Sequence, residues 1–107
     1  MNKTIASAAV AATIAFAPAS QAASFNCYGR LTLTEAVICA NPQISSLDSQ
    51  MAQAYRISFR AYGNFVKNTQ VAWLRSRNAC GGNVGCLRAA YNERIGTLHN
   101  LDGNGAP

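Results

Sequence analysis

Acidic side chains are scarce in this chain: its 107 residues hold four Asp+Glu and one His, and only 12% of positions are charged. General acid/base catalysis needs a positioned pair of groups with matched pKa values, and the four carboxylates do not suggest one. Glu35 and Asp48 occupy helix-start positions, where capping accounts for them. Glu93 stands beside Arg94, Asp102 lies near the end of the chain, and His99 falls at the close of a helical pattern. Ser–His–Asp, Cys–His and metal-ligand spacings are missing, and Gly81-Gly82 lacks the strand and lysine of a phosphate loop. The expectation is a protein without catalytic residues, metal or cofactor. Alternating β patterns and internal repeats are missing too. No apolar run is long enough for a transmembrane helix; residues 5–17 are too short and Pro18 interrupts their end.

What the first residues do contain is an export pattern. MNKTIASAAVAATIAFAPASQA has a positive start at Lys3, a short apolar middle, and small residues at Ser20 and Ala22. This reads as a signal peptide over residues 1–22, cut between Ala22 and Ala23. Cys27 follows Ala23-Ser24-Phe25-Asn26 and not the leucine-led box that precedes a lipidated cysteine. The mature chain is therefore expected to be soluble and periplasmic or secreted. Without Lys3 it carries eight Lys+Arg against four Asp+Glu, a formal charge of +4. Nucleic-acid binding would want a denser basic run. An acidic protein cleft or an anionic envelope polymer suits a basic exported domain better.

The remaining 85 residues make one small domain, whose marginal core gains from covalent staples. Four cysteines in an exported chain read as a disulfide framework, and their spacings of twelve and six do not match paired zinc ligands. Three pairings are formally possible. Proximity favours Cys27–Cys39 and Cys80–Cys86, which close loops of thirteen and seven residues.

Helical periods fill most of the chain. Thr32-Leu33-Thr34-Glu35 has capping-box spacing, and a short helix through Leu33, Ala36, Val37 and Ala40 follows. Asn41-Pro42 ends it and can start another, with Ser45 and Asp48 offering a second cap where the helix restarts or kinks. A long helix is expected over about 46–66, with Leu47, Met51, Ala54, Tyr55, Ser58, Tyr62 and Val66 near one face and Ile57, Phe59 and Phe65 widening it. Gly63-Asn64 weakens this helix before its end, and Lys67-Asn68-Thr69 reads as a turn or frayed junction. The organising stretch is Gln70–Leu98, an αα-hairpin with a cysteine on each side of its corner. Val71, Trp73 and Leu74 precede the turn; Val84, Leu87, Tyr91, Ile95 and Leu98 recur at helical spacing after it. Gly81 and Gly82 end one helix, and Asn83 can cap the next. Residues 99–107 lose the period and read as a loose tail. The fold class is thus all-α: a bundle of about four helices over residues 23–98, stapled twice. Leu47, Met51, Tyr55, Trp73, Leu74, Leu87, Tyr91 and Ile95 are its expected core anchors.

Taken in order, Phe25-x-Cys27, Thr34-Glu35-x-x-Ile38-Cys39, Leu47-Asp48-x-x-Met51, Ala54-Tyr55, Gln70-x-x-Trp73-Leu74-x-x-Arg77-x-x-Cys80, Cys86-Leu87, Tyr91 and Arg94-Ile95 closely resemble the LprI-type lysozyme inhibitor N-terminal domain. The resemblance covers about residues 25–98. It implies a small helical domain with both local bridges, a periplasmic or cell-surface site, and inhibition of lysozyme. Endogenous lytic transglycosylases, whose carboxylate-bearing cleft cuts the same glycan bond, are the companion target class, and peptidoglycan itself is a further candidate partner. The expected mechanism is occlusion of the enzyme's cleft, with an arginine or backbone-rich turn reaching its carboxylate. The expected reaching surface is the 81–85 turn (Gly81, Gly82, Asn83) with Arg77 and Arg88, and the Arg56/Arg60 face comes second. The competing expectation is a non-inhibitory binding or envelope-assembly protein on the same scaffold.

Overall fold

The computed structural model describes residues 23–104, with side-chain surroundings described as far as Leu101. The leader reading of residues 1–22 lies outside the described residues. Four helices follow in order: α1 (Leu33–Ala40), α2 (Pro42–Tyr62), α3 (Asn64–Ala79) and α4 (Val84–Asn104). The fold is a small all-helical bundle with disulfides Cys27–Cys39 and Cys80–Cys86, and no sheet forms among the described residues.

Local chemistry sets the helix boundaries. Thr32 and Glu35 complete the expected capping box: Glu35 N donates to Thr32 Oγ1 over 3.1 Å, and Thr32 N donates to Glu35 Oε1 over 2.9 Å. Asn41 closes α1 and opens α2, its Oδ1 accepting from Ile44 N at 3.0 Å with Pro42 in the first helical turn. The helix then runs unbroken to Tyr62, so Ser45 and Asp48 do not restart it. Both point inward instead, and Ser45 Oγ donates to Ile38 O across the α1–α2 corner.

The break comes at Gly63, with φ +54°, and not at Lys67-Asn68-Thr69. Positive φ costs glycine little and other residues much, so the chain turns there. Thr69 lies inside α3, and its hydroxyl donates to Val66 O over 2.9 Å. Val66 accordingly belongs to α3. Ile57, Phe59 and Phe65 are exposed and do not widen the core face, since on α2 the buried stripe runs through Met51, Ala54 and Ser58.

The central pair is α2 with α4; α1 and α3 pack on α2, and α3 also meets α4. Ile38, Ile44, Val66, Leu87, Tyr91 and Leu98 are fully buried between them, with Met51, Ala54, Trp73 and Leu101 nearly so. Each large apolar side chain so buried contributes about 1.5–3 kcal/mol. Leu47, Tyr55, Leu74 and Ile95 pack around this set half-buried, as does Phe25 in the N-terminal lead. Trp73 meets Tyr91 edge-on, ring centroids 5.2 Å apart, and its Nε1 donates to Ala90 O.

The loose-tail expectation for 99–107 is corrected for its first part, since α4 continues to Asn104. Leu101 sits one turn beyond Leu98 on the buried stripe, and Tyr62 Oη donates to Leu101 O over 2.8 Å. Within residues 99–107, the first Gly comes at 103, after Leu101.

Candidate functional site

The α3–α4 corner is held from four directions. Cys80–Cys86 closes it covalently, and Gly81 takes φ +60° to let the chain reverse. Asn83 Oδ1 accepts from Cys86 N at 2.8 Å, capping α4 as expected from sequence. From α1, buried Thr34 donates its hydroxyl to Gly81 O over 2.8 Å. Gly82 lies close under the same helix: a Cβ there would stand 3.3 Å from Val37 Cγ2 and 3.8 Å from both Leu33 Cδ atoms. The corner therefore has little conformational freedom while Gly82, Asn83, Gly85, Arg88 and the apolar Leu33 remain exposed around it. The bracing by α1 is invisible in the hairpin's own sequence, because it depends on Thr34, some 47 positions away.

The arginines divide sharply. Arg56, Arg60 and Arg88 are exposed, as are Arg30, Lys67 and Arg75. Against these six cations the described surface offers exposed Glu93 and half-buried Glu35. Arg56 and Arg60 stand one turn apart on α2, as their spacing requires. Arg77, by contrast, is only 5% exposed, which removes it from the expected reaching surface. Its Nε and Nη2 donate to Asn78 Oδ1, and Nη1 donates to Tyr91 Oη at 3.4 Å. Arg94 is equally buried, donating to Gln70 Oε1 at 2.8 Å and Thr69 Oγ1 at 3.0 Å. Burial lowers the Arg94 pKa from its ordinary value, partly offset by the charge of Glu93.

Arg94 is thus held separately by Gln70 and Thr69, while Asp48, completely buried, is the centre of a polar cluster with Arg77 and Tyr91. Its Oδ1 accepts from Tyr91 Oη at 2.6 Å and lies 3.9 Å from Arg77 Nη1; its Oδ2 accepts from Ser24 N at 2.6 Å. The helix-cap reading of Asp48 is thus corrected: it ties α2, α3, α4 and the N-terminal lead together. Tyr91 is pushed well above the ordinary tyrosine range, first by burial and then by its hydrogen bond to Asp48. Sequence carried a signal for this cluster. Asp48 is four residues after Ile44 and three before Met51, and Arg77 is four after Trp73. Opposite charges on the buried stripes of different helices should pair, since unpaired they would be prohibitively costly.

Outside the cluster, α2 and α3 flank an open cleft of about 550 Å³, walled by Phe25, Met51, Tyr55, Val71 and Leu74. Its two carboxylates are already engaged, Glu35 in the α1 cap and Asp48 in the buried network. Chemically the cleft offers apolar surface rimmed by Lys67 and Asn78, suited to binding. His99 is exposed on α4, and no group of three His, Cys, Asp or Glu able to hold a metal ion forms among the described residues. Nor, among them, is any helix long and apolar enough to cross a membrane. Compared with protein-family models, curated proteins and solved structures, the chain finds no match.

Proposed function

We propose that this chain is an exported, non-catalytic protein that inhibits peptidoglycan-cleaving muramidases, lysozyme or an endogenous lytic transglycosylase, by occluding their catalytic cleft. The observation that carries the reading is the rigid α3–α4 corner, fixed by Cys80–Cys86, the Thr34 hydroxyl and the Asn83 cap. A loop already held in one shape loses little entropy on binding, so more of its contact energy appears as affinity. Muramidase clefts carry paired carboxylates, and Arg88 is an exposed cation on α4 close to the corner. Arg77 is committed inside the fold, which leaves Gly81, Gly82, Asn83 and Arg88 as the reaching set and Arg56 with Arg60 as the second face. The four-cysteine helical scaffold and its resemblance to the LprI-type domain support the same reading.

A second reading is favoured by a different observation. Ile57, Phe59, Phe65 and Val71 are each at least 40% exposed on α2 and α3. Large apolar groups at a surface suit an envelope-assembly or binding partner, which would leave hydrolysis untouched.

One assay separates the two. Oxidised protein spanning residues 23–107 is added to purified peptidoglycan with lysozyme or with a lytic transglycosylase, and sedimentation measures glycan binding. Inhibition at a one-to-one ratio without glycan binding, weakened at least tenfold by Arg88→Glu, is expected for cleft occlusion. Full hydrolysis by both enzymes at micromolar excess overturns the inhibitor reading. Weakening by Arg56→Glu/Arg60→Glu and not by Arg88→Glu moves the contact to α2.

A further inference from the structure

We propose that cleavage after Ala22 creates a ligand for the buried Asp48 site: the new α-ammonium group of Ala23 docks beside the Asp48 carboxylate and completes the network. The inference rests on the leader assignment and is independent of muramidase inhibition. Asp48 is fully buried, yet no cationic N–H hydrogen-bonds to it among the described residues. Arg77 stands 3.9 Å away with its N–H groups directed to Asn78 Oδ1 and Tyr91 Oη. A carboxylate offers about four lone-pair sites, and two hydrogen bonds, from Ser24 N and Tyr91 Oη, are formed here.

The lead brings Ala23 to this place. Ser24 N lies 2.6 Å from Asp48 Oδ2, and three covalent bonds separate it from the nitrogen of Ala23, which therefore lies within about 7 Å of that oxygen. Ala23 is itself buried, packed with the core of the bundle. In the uncut chain this nitrogen is a neutral amide. After cleavage the same nitrogen is a cation with three donors, placed beside a buried anion. The charged groups lining the cleft beside Ser24 and Asp48 are Asp48 itself from α2, Arg77 and Lys67 from α3, and Glu35 from α1; Tyr55 lines it too, and the Tyr91 phenol bonds Asp48. Leader removal thus adds a charge the core can use, coupling processing to the final fold.

The test uses the exported protein, whose intact mass must first correspond to residues 23–107. Ligation at Cys27 then gives the same chain with a free or an acetylated Ala23 amino group, isotopically labelled at Ala23. The free amino group is expected to titrate above about 9 by NMR, against about 7.7–8.0 for an ordinary α-amine. Acetylation, or retention of Gln21-Ala22, is expected to lower the thermal midpoint. In Asp48→Asn the free and acetylated forms should melt together, and the amine should return to its ordinary range. Titration in the ordinary range in the unaltered protein, equal midpoints for its free and acetylated forms, or a different exported mass each overturns the proposal. If Asp48→Asn fails to fold, the titration in the unaltered protein decides alone.

Discussion

Tyr91 Oη donates to Asp48 Oδ1 over 2.6 Å, joining α4 to α2 across 43 positions of sequence inside a fully buried site. The phenol also accepts from Arg77, so one hydroxyl relays between a buried anion and a buried cation. Tyr91→Phe keeps the ring against Trp73 but removes the donor. The variant should lose about 2 kcal/mol, within the 1–3 kcal/mol for orphaning a buried polar group. Asp48→Ala leaves Arg77 without its counter-charge and should lose about 3–5 kcal/mol. Urea unfolding checks both; a Tyr91→Phe midpoint equal to the parent's would show that the bond adds nothing.

The same hydroxyl predicts a loss of stability in alkali. Burial, and then the bond to Asp48, hold the folded Tyr91 pKa above its ordinary value. Above about pH 10 the unfolded phenol releases its proton while the folded one keeps it. The unfolded state then binds fewer protons, and stability falls with rising pH by about 1.4 kcal/mol per unit. Below pH 10 the contribution is fully present. Urea midpoints between pH 9 and 11.5 should therefore drop in the parent and less steeply in Tyr91→Phe; equal slopes would refute the assignment.

Gly63, at the α2–α3 break, and Gly96, inside α4, should respond to alanine with opposite signs. At Gly63 the backbone sits at φ +54°, ψ −130°, and no atom lies within 4 Å of an added Cβ, so backbone strain alone decides. Gly63→Ala should cost about 1–3 kcal/mol. Gly96, inside α4, has equally open space and no positive φ. Gly96→Ala should stabilise by about 0.5–1 kcal/mol through helix propensity. Thermal melts of the two single variants give the signs directly.

These contrasts show what could be read from the chain beforehand. Capping residues act over three or four positions, so Thr32, Asn41 and Asn83 announced their helices, and the cysteine spacings announced both bridges. Apolar period placed Met51, Trp73, Leu87 and Tyr91 in the core. Polar residues were harder, because their role depends on partners far away in sequence. Asp48 resembles a cap until Tyr91 and Ser24 are brought to it, and Arg77 resembles a surface cation until α2 and α4 close over it. The Gly63 break competed with an equally polar Lys67-Asn68-Thr69, which lies inside α3 between the buried residues Val66 and Gln70.

The C-terminal end of α4 provides the sharpest test of that tertiary dependence. By composition alone, residues after Leu98 should be dispensable, and deleting them should cost less than about 0.5 kcal/mol, as for surface changes generally. Yet Leu101 is 8% exposed, and its carbonyl accepts from Tyr62 Oη over 2.8 Å where α2 ends. Leu101→Ala should cost about 2–3 kcal/mol, the lower part of the range for core truncations, because the site lies at the end of the bundle and can partly collapse. Tyr62→Phe, which spares the apolar contact, should cost about 1 kcal/mol. Tyr62 donates directly to the Leu101 carbonyl, so the two sites are in contact and the double variant should depart from the sum of the singles. A chain ending at Leu98 should then unfold at lower urea than Leu101→Ala, since it also loses the last helical turn; if it matches the full chain, α4 ends energetically at Leu98 and the contact with Tyr62 is idle.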